Sequence, residues 1–279
     1  MNNKILVPTD FSMNSKAGIR FAIQLASQNK SFLIFYHCAQ FLKPTRWSEE
    51  KYNAYLNSEL ESTHNQLFKF INDIYAKIGI AKRKFECIVQ QGSDARQLII
   101  NYAIEIKASS ICMSTRGAGR FKKVIGTNAS DILTKSPIPV FVIPKTYRRA
   151  PISNILYSSD LDNLRSELKQ VKTFAKLLKA KVNLYHYDYL LDIAETKNKL
   201  AKVAKRFKSP GVKFNFQKLN LEHPLAQHLM KDMRKSKASL VVLFTNQNRG
   251  WFDKIFLSSK SAEVAFDSKL PLLVFRKNM

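Results

Sequence analysis

Short apolar runs alternate along the chain with longer segments in which apolar residues recur at helical spacing, as Ala17, Phe21 and Leu25 do. This alternation is typical of βαβ units around a parallel sheet. Residues 48–78 are expected to form one long helix, and Ser93 or Asp94 is a candidate N-cap for a helix ending near Lys107. The apolar runs predict strands near residues 4–8, 31–38, 84–89, 109–114 and 138–143, and again near 153–158, 181–187, 213–219, 238–244 and 270–275.

The second half of the chain repeats the first. The matching segments are residues 5–10 with 155–160, 35–37 with 184–186, and 138–143 with 270–275. A repeat of this length predicts two copies of one domain, residues 1–146 and 151–279, joined by a short polar stretch that ends in Pro151. Right-handed crossovers then make each copy an α/β, doubly wound, five-stranded parallel-sheet, three-layer sandwich.

Composition excludes several classes of protein. With 279 residues, 45% hydrophobic and 24% charged, the chain is neither disordered nor fibrous. No apolar stretch is long enough to span a membrane, and Pro8 breaks the first apolar run, so no secretory leader is expected. The cysteines Cys38, Cys87 and Cys112 are odd in number and lack C-x-x-C spacing, which predicts reduced thiols in a cytoplasmic protein.

The chain is strongly basic. Lys and Arg number 46 against 21 Asp and Glu, which gives a net charge of +25. Residues 1–149 carry 22 basic and 10 acidic side chains, and residues 150–279 carry 24 and 11, so no basic tail exists. We therefore rank nucleic-acid binding as the weakest hypothesis unless the fold gathers the charge on one face.

Two loops follow strands that meet where the strand order of such a sheet reverses, which is where ligands bind. One loop contains Asp10, and the other is the glycine-containing segment 114–128, which leads into a helix at Gly126–Thr127. The free N–H groups and dipole of a helix start favour an anion, so this loop is a candidate phosphate cradle. The candidate ligand-binding residues are Pro8, Thr9, Asp10, Ser114, Arg116, Gly117, Gly119, Gly126, Thr127 and Asn128.

Catalytic and metal chemistry find little support in the sequence. It contains no G-x-x-x-x-G-K-[ST] loop and no G-x-S-x-G elbow. His37 and His186 recur at equivalent strand ends but lack partners at metal-ligand spacing, which predicts a packing or hydrogen-bonding role and no metal. We predict a binding protein and not an enzyme, with slow hydrolysis of a bound phosphorylated ligand left open.

The chain resembles a tandem member of the universal stress protein family. The resemblance rests on residues 7–12, Gly92, the loop from Thr115 to Thr127 and the strand at 139–144. It implies an adenine nucleotide alpha hydrolase-like fold with strand order 3-2-1-4-5, and a cytoplasmic stress-response module that senses or stores ATP or AMP. By that resemblance Asp10 would lie beside the base or ribose, Gly117 would be the second loop glycine, and Gly126 with Thr127 would hold the phosphates.

The sequence also departs from the family pattern. Ser114 stands at the first loop glycine, and eight residues separate Gly117 from Gly126. In the second copy the loop begins at Asn246, and Ser258–Ser259 replaces the phosphate pair. We therefore expect a nucleotide site in the first copy and a degenerate second copy, with a nucleotide-free interaction scaffold as the competing hypothesis.

Partner interactions are predicted only in outline. The last strands of the two copies are apolar edge candidates, and edges of this kind invite pairing. We expect them to pair within one chain as a pseudo-dimer, with a homodimer left open. The identity of protein partners is not readable from the sequence.

Overall fold

A computed structural model describes residues 3–115, 127–191, 193–220, 222–223, 225–245 and 270–277. The chain divides into two compact units, Met1–Arg149 and Ala150–Met279. Each unit is an α/β domain built on a parallel sheet.

The amino-terminal unit carries its five strands in the order β3-β2-β1-β4-β5, all parallel. Its elements are β1 (Lys4–Pro8), α1 (Ser15–Asn29), β2 (Phe32–Ala39), α2 (Glu49–Ile78), β3 (Phe85–Gln91), α3 (Ala95–Glu105), β4 (Ser110–Ser114), α4 (Thr127–Lys135) and β5 (Val140–Ile143). The strand order reverses between β1 and β4, so their carboxyl ends border the crevice in which ligands of such sheets bind.

The carboxyl-terminal unit repeats this arrangement. Its elements are β6 (Asn154–Ser158), α5 (Leu164–Leu178), β7 (Lys181–Asp188), α6 (Ala194–Arg206), β8 (Val212–Lys218), α7 (Leu225–Lys235), β9 (Leu240–Thr245) and β10 (Leu272–Arg276). Its strands run parallel in the order β8-β7-β6-β9-β10. Since this is the order 3-2-1-4-5 within each unit, the predicted fold class is confirmed.

The strands form because their Ile, Val, Leu and Phe side chains are buried by helices on the sheet faces. Phe21 of α1, for instance, is fully buried, with its ring centroid 5.2 Å from that of Phe141 and 5.4 Å from that of Tyr147. Ala17 and Leu25 lie on the same buried face of α1, as their spacing predicts.

Local signals set the helix ends. The Ser48 side chain accepts a hydrogen bond from Lys51 N at the start of α2, and Gly79 ends that helix with a left-handed φ of 62°. Asp94, one of the two predicted caps, accepts hydrogen bonds from the N–H groups of Arg96 and Gln97. No helix in the described part of the chain has the length and apolar character that a bilayer crossing requires.

Candidate functional site

The predicted site lies at the carboxyl edge of the amino-terminal sheet. β1 pairs with β4 through Ile5 and Leu6, so the turn after Pro8 and the end of β4 at Ser114 lie at neighbouring strand ends. The predicted loop residues Arg116, Gly117, Gly119 and Gly126 lie outside the described residues. The backbone at Thr127 and Asn128 begins α4, as predicted, and their side chains are also outside the description.

Residues 9–12 form a tight turn that presents Asp10. Thr9 N donates to Tyr36 O at 2.9 Å, which continues the ladder between β1 and β2 by one residue. Phe11 then adopts a left-handed φ of 59°, and Ser12 N donates to Asp10 Oδ1 at 3.0 Å. The Asp10 side chain is exposed at this edge, while Pro8 is half-buried. The turn therefore holds a carboxylate in a fixed position facing solvent.

The Thr9 hydroxyl stabilises the turn from inside. It lies 2.9 Å from Ser15 Oγ and accepts a hydrogen bond from Phe11 N at 3.2 Å. Because Ser15 Oγ donates its one hydrogen to Ser12 O at 2.8 Å, Thr9 is the donor in the contact between the two hydroxyls. Thr9 is buried, so its side chain supports the position of Asp10 from behind.

His37 has a structural part in the same turn. Its Nδ1 lies 2.8 Å from Thr9 O, and since a carbonyl oxygen only accepts, Nδ1 carries the proton. The Phe11 ring packs between His37 and Phe70, with centroid distances of 4.5 and 5.5 Å. These contacts support the hydrogen-bonding role predicted for His37.

Ser114, predicted as a ligand-binding residue, points into the protein. It is buried, its Oγ accepts a hydrogen bond from Gly18 N at 2.8 Å, and the same hydroxyl donates to Ser15 O at 3.3 Å. A Cβ on Gly18 would lie 3.0 Å from Ser114 N, so the close approach of α1 to β4 favours glycine at this position. The Ser114 side chain thus serves the packing of α1 on β4.

Arg96, which sequence reasoning missed, joins α3 to the helix that follows the glycine-containing loop. It pairs with Asp94 at 3.1 Å on its own helix and with Asp131 of α4 at 2.6 Å. The hydrogen bond from the Arg96 side chain lowers the pKa of Asp94. This ion pair links α3 to α4, whose first turn is the predicted phosphate site.

The second unit repeats the turn in detail. Ser159 N donates to Tyr185 O at 2.9 Å, Leu161 has a φ of 74°, and Asp162 N donates to Asp160 Oδ1 at 3.2 Å. His186 Nδ1 lies 3.0 Å from Ser159 O, just as its counterpart does in the first unit. The two turns therefore present Asp10 and Asp160 on the same backbone geometry.

Asp160 is paired with a buried cation of its own unit. Lys277, which follows β10 and is buried, donates a hydrogen bond to Asp160 and lies 3.7 Å from Glu167 Oε1. Its counterpart by sheet register in the first unit is Lys145, which is exposed. The carboxylate of Asp160 is thus neutralised from within its own unit.

Glu167 lies beside this pair and is 2% exposed. Burial raises its pKa, and although the hydrogen bond from the Tyr157 hydroxyl and the Lys277 charge act in the opposite direction, the net shift is upward. Burial lowers the pKa of Lys277, but the hydrogen bond and charge of Asp160 outweigh it, so the net shift is again upward. The carboxylates of Asp160 and Glu167 therefore stabilise the Lys277 ammonium, and the raised pKa of Lys277 agrees with these contacts.

The sequence analysis did not predict the network of Asp160, Glu167 and Lys277, although the sequence contains one signal of it. In α5 the apolar stripe contains Leu164, Leu168 and Val171, and Glu167 falls on that stripe. A carboxylate on the apolar face of a helix indicates a buried partner. Which cation supplies it is not readable, since Lys277 lies 110 residues farther along the chain.

The described residues contain no group of three or more His, Cys, Asp or Glu side chains arranged to hold a metal ion. Cys38, Cys87 and Cys112 are free thiols, and burial raises the pKa of each. A raised pKa keeps a thiol protonated at neutral pH, which disfavours its reaction as a nucleophile.

Comparison with known proteins agrees with the fold. The model of the universal stress protein family matches residues 1–144. Among solved structures, a universal stress protein from Archaeoglobus fulgidus DSM 4304 is 17% identical and has a TM-score of 0.71, with 100% of both chains covered. A protein of unknown function from Pseudomonas aeruginosa PAO1 is 17% identical with a TM-score of 0.57, covering 98% of this chain and 92% of its own. No match was found among curated proteins.

Proposed function

The chain belongs to the universal stress protein family, and from that premise we propose that its amino-terminal unit binds an adenine nucleotide, ATP or AMP, as a sensor or store. Asp10 would contact the base or ribose, and the loop from Arg116 through Gly117 and Gly119 to Gly126 would hold the phosphates at the start of α4. Binding would change a surface presented to protein partners, without turnover of the nucleotide.

One observation carries this proposal: the exposed Asp10 carboxylate is held at the point where the strand order reverses between β1 and β4. Ligands of doubly wound sheets bind at this crevice. The first turn of α4 adds free backbone N–H groups, which favour a phosphate. Thr9 and Ser114 contribute by shaping the crevice, because their hydroxyls are engaged inside the unit.

The structure of the second unit favours one nucleotide site per chain. Asp160 occupies the position equivalent to Asp10, but Lys277 pairs with it. A ligand there would have to displace a buried ammonium group from a carboxylate. We propose that the second unit does not bind nucleotide, in keeping with the serine pair that replaces the phosphate-binding residues in its sequence.

Calorimetric titration of the full chain with ATP, ADP and AMP tests the proposal. We expect Asp10→Asn to weaken binding by about tenfold or more, since a hydrogen bond to a charged group contributes ~1.5–3 kcal/mol. Gly126→Val is expected to abolish binding, and the matched variant Asp160→Asn should bind as the wild type does. No binding at millimolar nucleotide, or equal binding by the wild type and Gly126→Val, would contradict the proposal.

A nucleotide-free scaffold is the competing function. The observation in its favour concerns Thr9 and Ser114, which were predicted to bind the ligand. Their hydroxyls form hydrogen bonds inside the unit. A nucleotide that remains bound through purification would exclude this alternative. We carry forward the predicted cytoplasmic location and the predicted pairing of the last strands as parts of the same proposal.

A further inference from the structure

A basic groove runs along α5 in the carboxyl-terminal unit. It lies between α5 and residues 207–212, which comprise the connection from α6 to β8 and the first residue of β8, and its volume is about 690 Å³. Five cationic side chains line it, and all are exposed: Arg165, Lys169, Lys172, Lys176 and Lys208. None of them forms an ion pair with another residue in the described part of the chain.

The cations form a line because of their spacing. Arg165, Lys169, Lys172 and Lys176 follow one another at intervals of four, three and four residues, which places them on one face of α5. The stripe is about 16 Å long at 1.5 Å per residue. Positive charge that is spread evenly along the sequence is therefore gathered by the fold into a row.

The row of four cations is particular to the helix of the second unit. The equivalent helix α1 contains only Lys16 and Arg20 as basic residues. The following helix is also shorter: α6 has 13 residues, whereas α2 has 30. The shorter α6 has less surface with which to cover the sheet beside α5 than α2 has beside α1.

The floor and rim of the groove are not simply polar. Leu168, Ala175 and Val182 lie along the floor. Phe207 is a half-buried aromatic residue at the rim, and the Arg206 guanidinium lies 5.5 Å from its ring centroid. The Ser209 hydroxyl, also in the lining, is buried and has no hydrogen-bond partner among the described residues. A row of cations beside apolar and aromatic surface suits a ligand with both phosphates and flat rings.

From this arrangement we propose that the groove binds a single-stranded nucleic acid. The α5 stripe contacts successive phosphates, and the Phe207 ring stacks on a base, which is how such strands are held without sequence preference. Polyphosphate has no rings to use the apolar floor, and a duplex keeps its bases stacked inside. The inference is independent of the nucleotide site in the first unit.

Fluorescence anisotropy with a labelled 20-nucleotide single strand tests the groove on the full chain. We expect the triple variant Lys169→Gln, Lys172→Gln, Lys176→Gln to bind at least about tenfold more weakly at low salt. Its slope of log affinity against log salt should be smaller by about 2, since each single-strand phosphate contact accounts for ~0.7. The matched control is Lys69→Gln, Lys77→Gln, Lys84→Gln, which removes equal charge from exposed sites of the first unit and should bind as the wild type does.

A second arm separates the ligand classes. Phe207→Leu should weaken binding of the base-bearing strand by at least about fivefold and leave an abasic strand of equal length unaffected. Unlabelled single strand should compete better than duplex or polyphosphate at equal phosphate concentration. The proposal is overturned if the α5 variant, folded as judged by circular dichroism, binds like the control, or if polyphosphate or duplex competes as well as the single strand.

Discussion

Ser114 Oγ accepts a hydrogen bond from Gly18 N at 2.8 Å, and a side chain at residue 18 would crowd that contact, since its Cβ would lie 3.0 Å from Ser114 N. Gly18 lies in α1 and Ser114 in β4, and the two residues are 96 positions apart in sequence. Ser114, which stands where the family's loop motif has its first glycine, therefore has a hydrogen-bonding partner in Gly18.

Gly18→Ala should destabilise the amino-terminal unit. The added Cβ would lie 3.0–3.1 Å from backbone and side-chain atoms of residues 113 and 114, and overpacking of this kind typically costs ~1–3 kcal/mol. Urea unfolding measures the change. Ser27→Ala is the control: Ser27 is exposed, its hydroxyl only bonds within α1 to Gln24 O, and the free energy should stay within ~0.5 kcal/mol of the wild type.

Lys277→Met should destabilise the carboxyl-terminal unit much more than Lys145→Met destabilises the amino-terminal one. The first change leaves Asp160 and buried Glu167 without their cation, and breaking a buried pair costs about 3–5 kcal/mol. The second changes an exposed side chain and should cost less than ~0.5 kcal/mol. Equal unfolding free energies for the two variants would show that the Lys277 network adds no stability.

The raised pKa of Glu167 predicts a pH dependence of stability. At pH values below the ordinary pKa of 4.5, the folded and unfolded states both hold the proton. As the pH rises from there through the higher folded-state pKa, the unfolded state loses its proton first, so the free energy of unfolding falls. Glu167→Gln cannot ionise, so the difference in stability between variant and wild type should move in favour of the variant across this window. A difference that stays constant from pH 4 to 8 would contradict the assignment.

Two helix ends are expected to gain stability from glycine. Lys30 and Lys179 end α1 and α5 with left-handed φ values of 60° and 54°, a conformation that α2 achieves with Gly79. Lys30→Gly and Lys179→Gly should each raise the free energy of unfolding by ~0.5–1 kcal/mol. Alanine at the same positions serves as the control and should give no gain, because it keeps the Cβ. Thermal unfolding would reveal the difference.

The fold could be predicted closely because its signals are local. The long helix expected at 48–78 is Glu49–Ile78, and the strand expected at 181–187 is Lys181–Asp188. Apolar runs, caps and the internal repeat identify these elements without knowledge of distant contacts, although the strands themselves are held by long-range pairing. The repeat also predicted that His37 and His186 share a role, and both lie within 3.0 Å of the carbonyl at the start of their turn.

The site could be predicted only in part. The position of Asp10 follows from the strand that precedes it, whereas the inward direction of Ser114 depends on Gly18, and the burial of Lys277 depends on Asp160 and Glu167. These are long-range pairings, and a residue type at one position says little about them. The residues of the glycine-containing loop remain predicted members of the site.

The pairing of Lys277 with Asp160 has a consequence for solution measurements. Two acidic turns of equal geometry would ordinarily suggest two equivalents of ligand per polypeptide. If Asp160 binds no ligand because Lys277 pairs with it, as we propose, an isotherm should saturate at a molar ratio of one, follow a simple hyperbola, and keep that ratio whether or not chains self-associate.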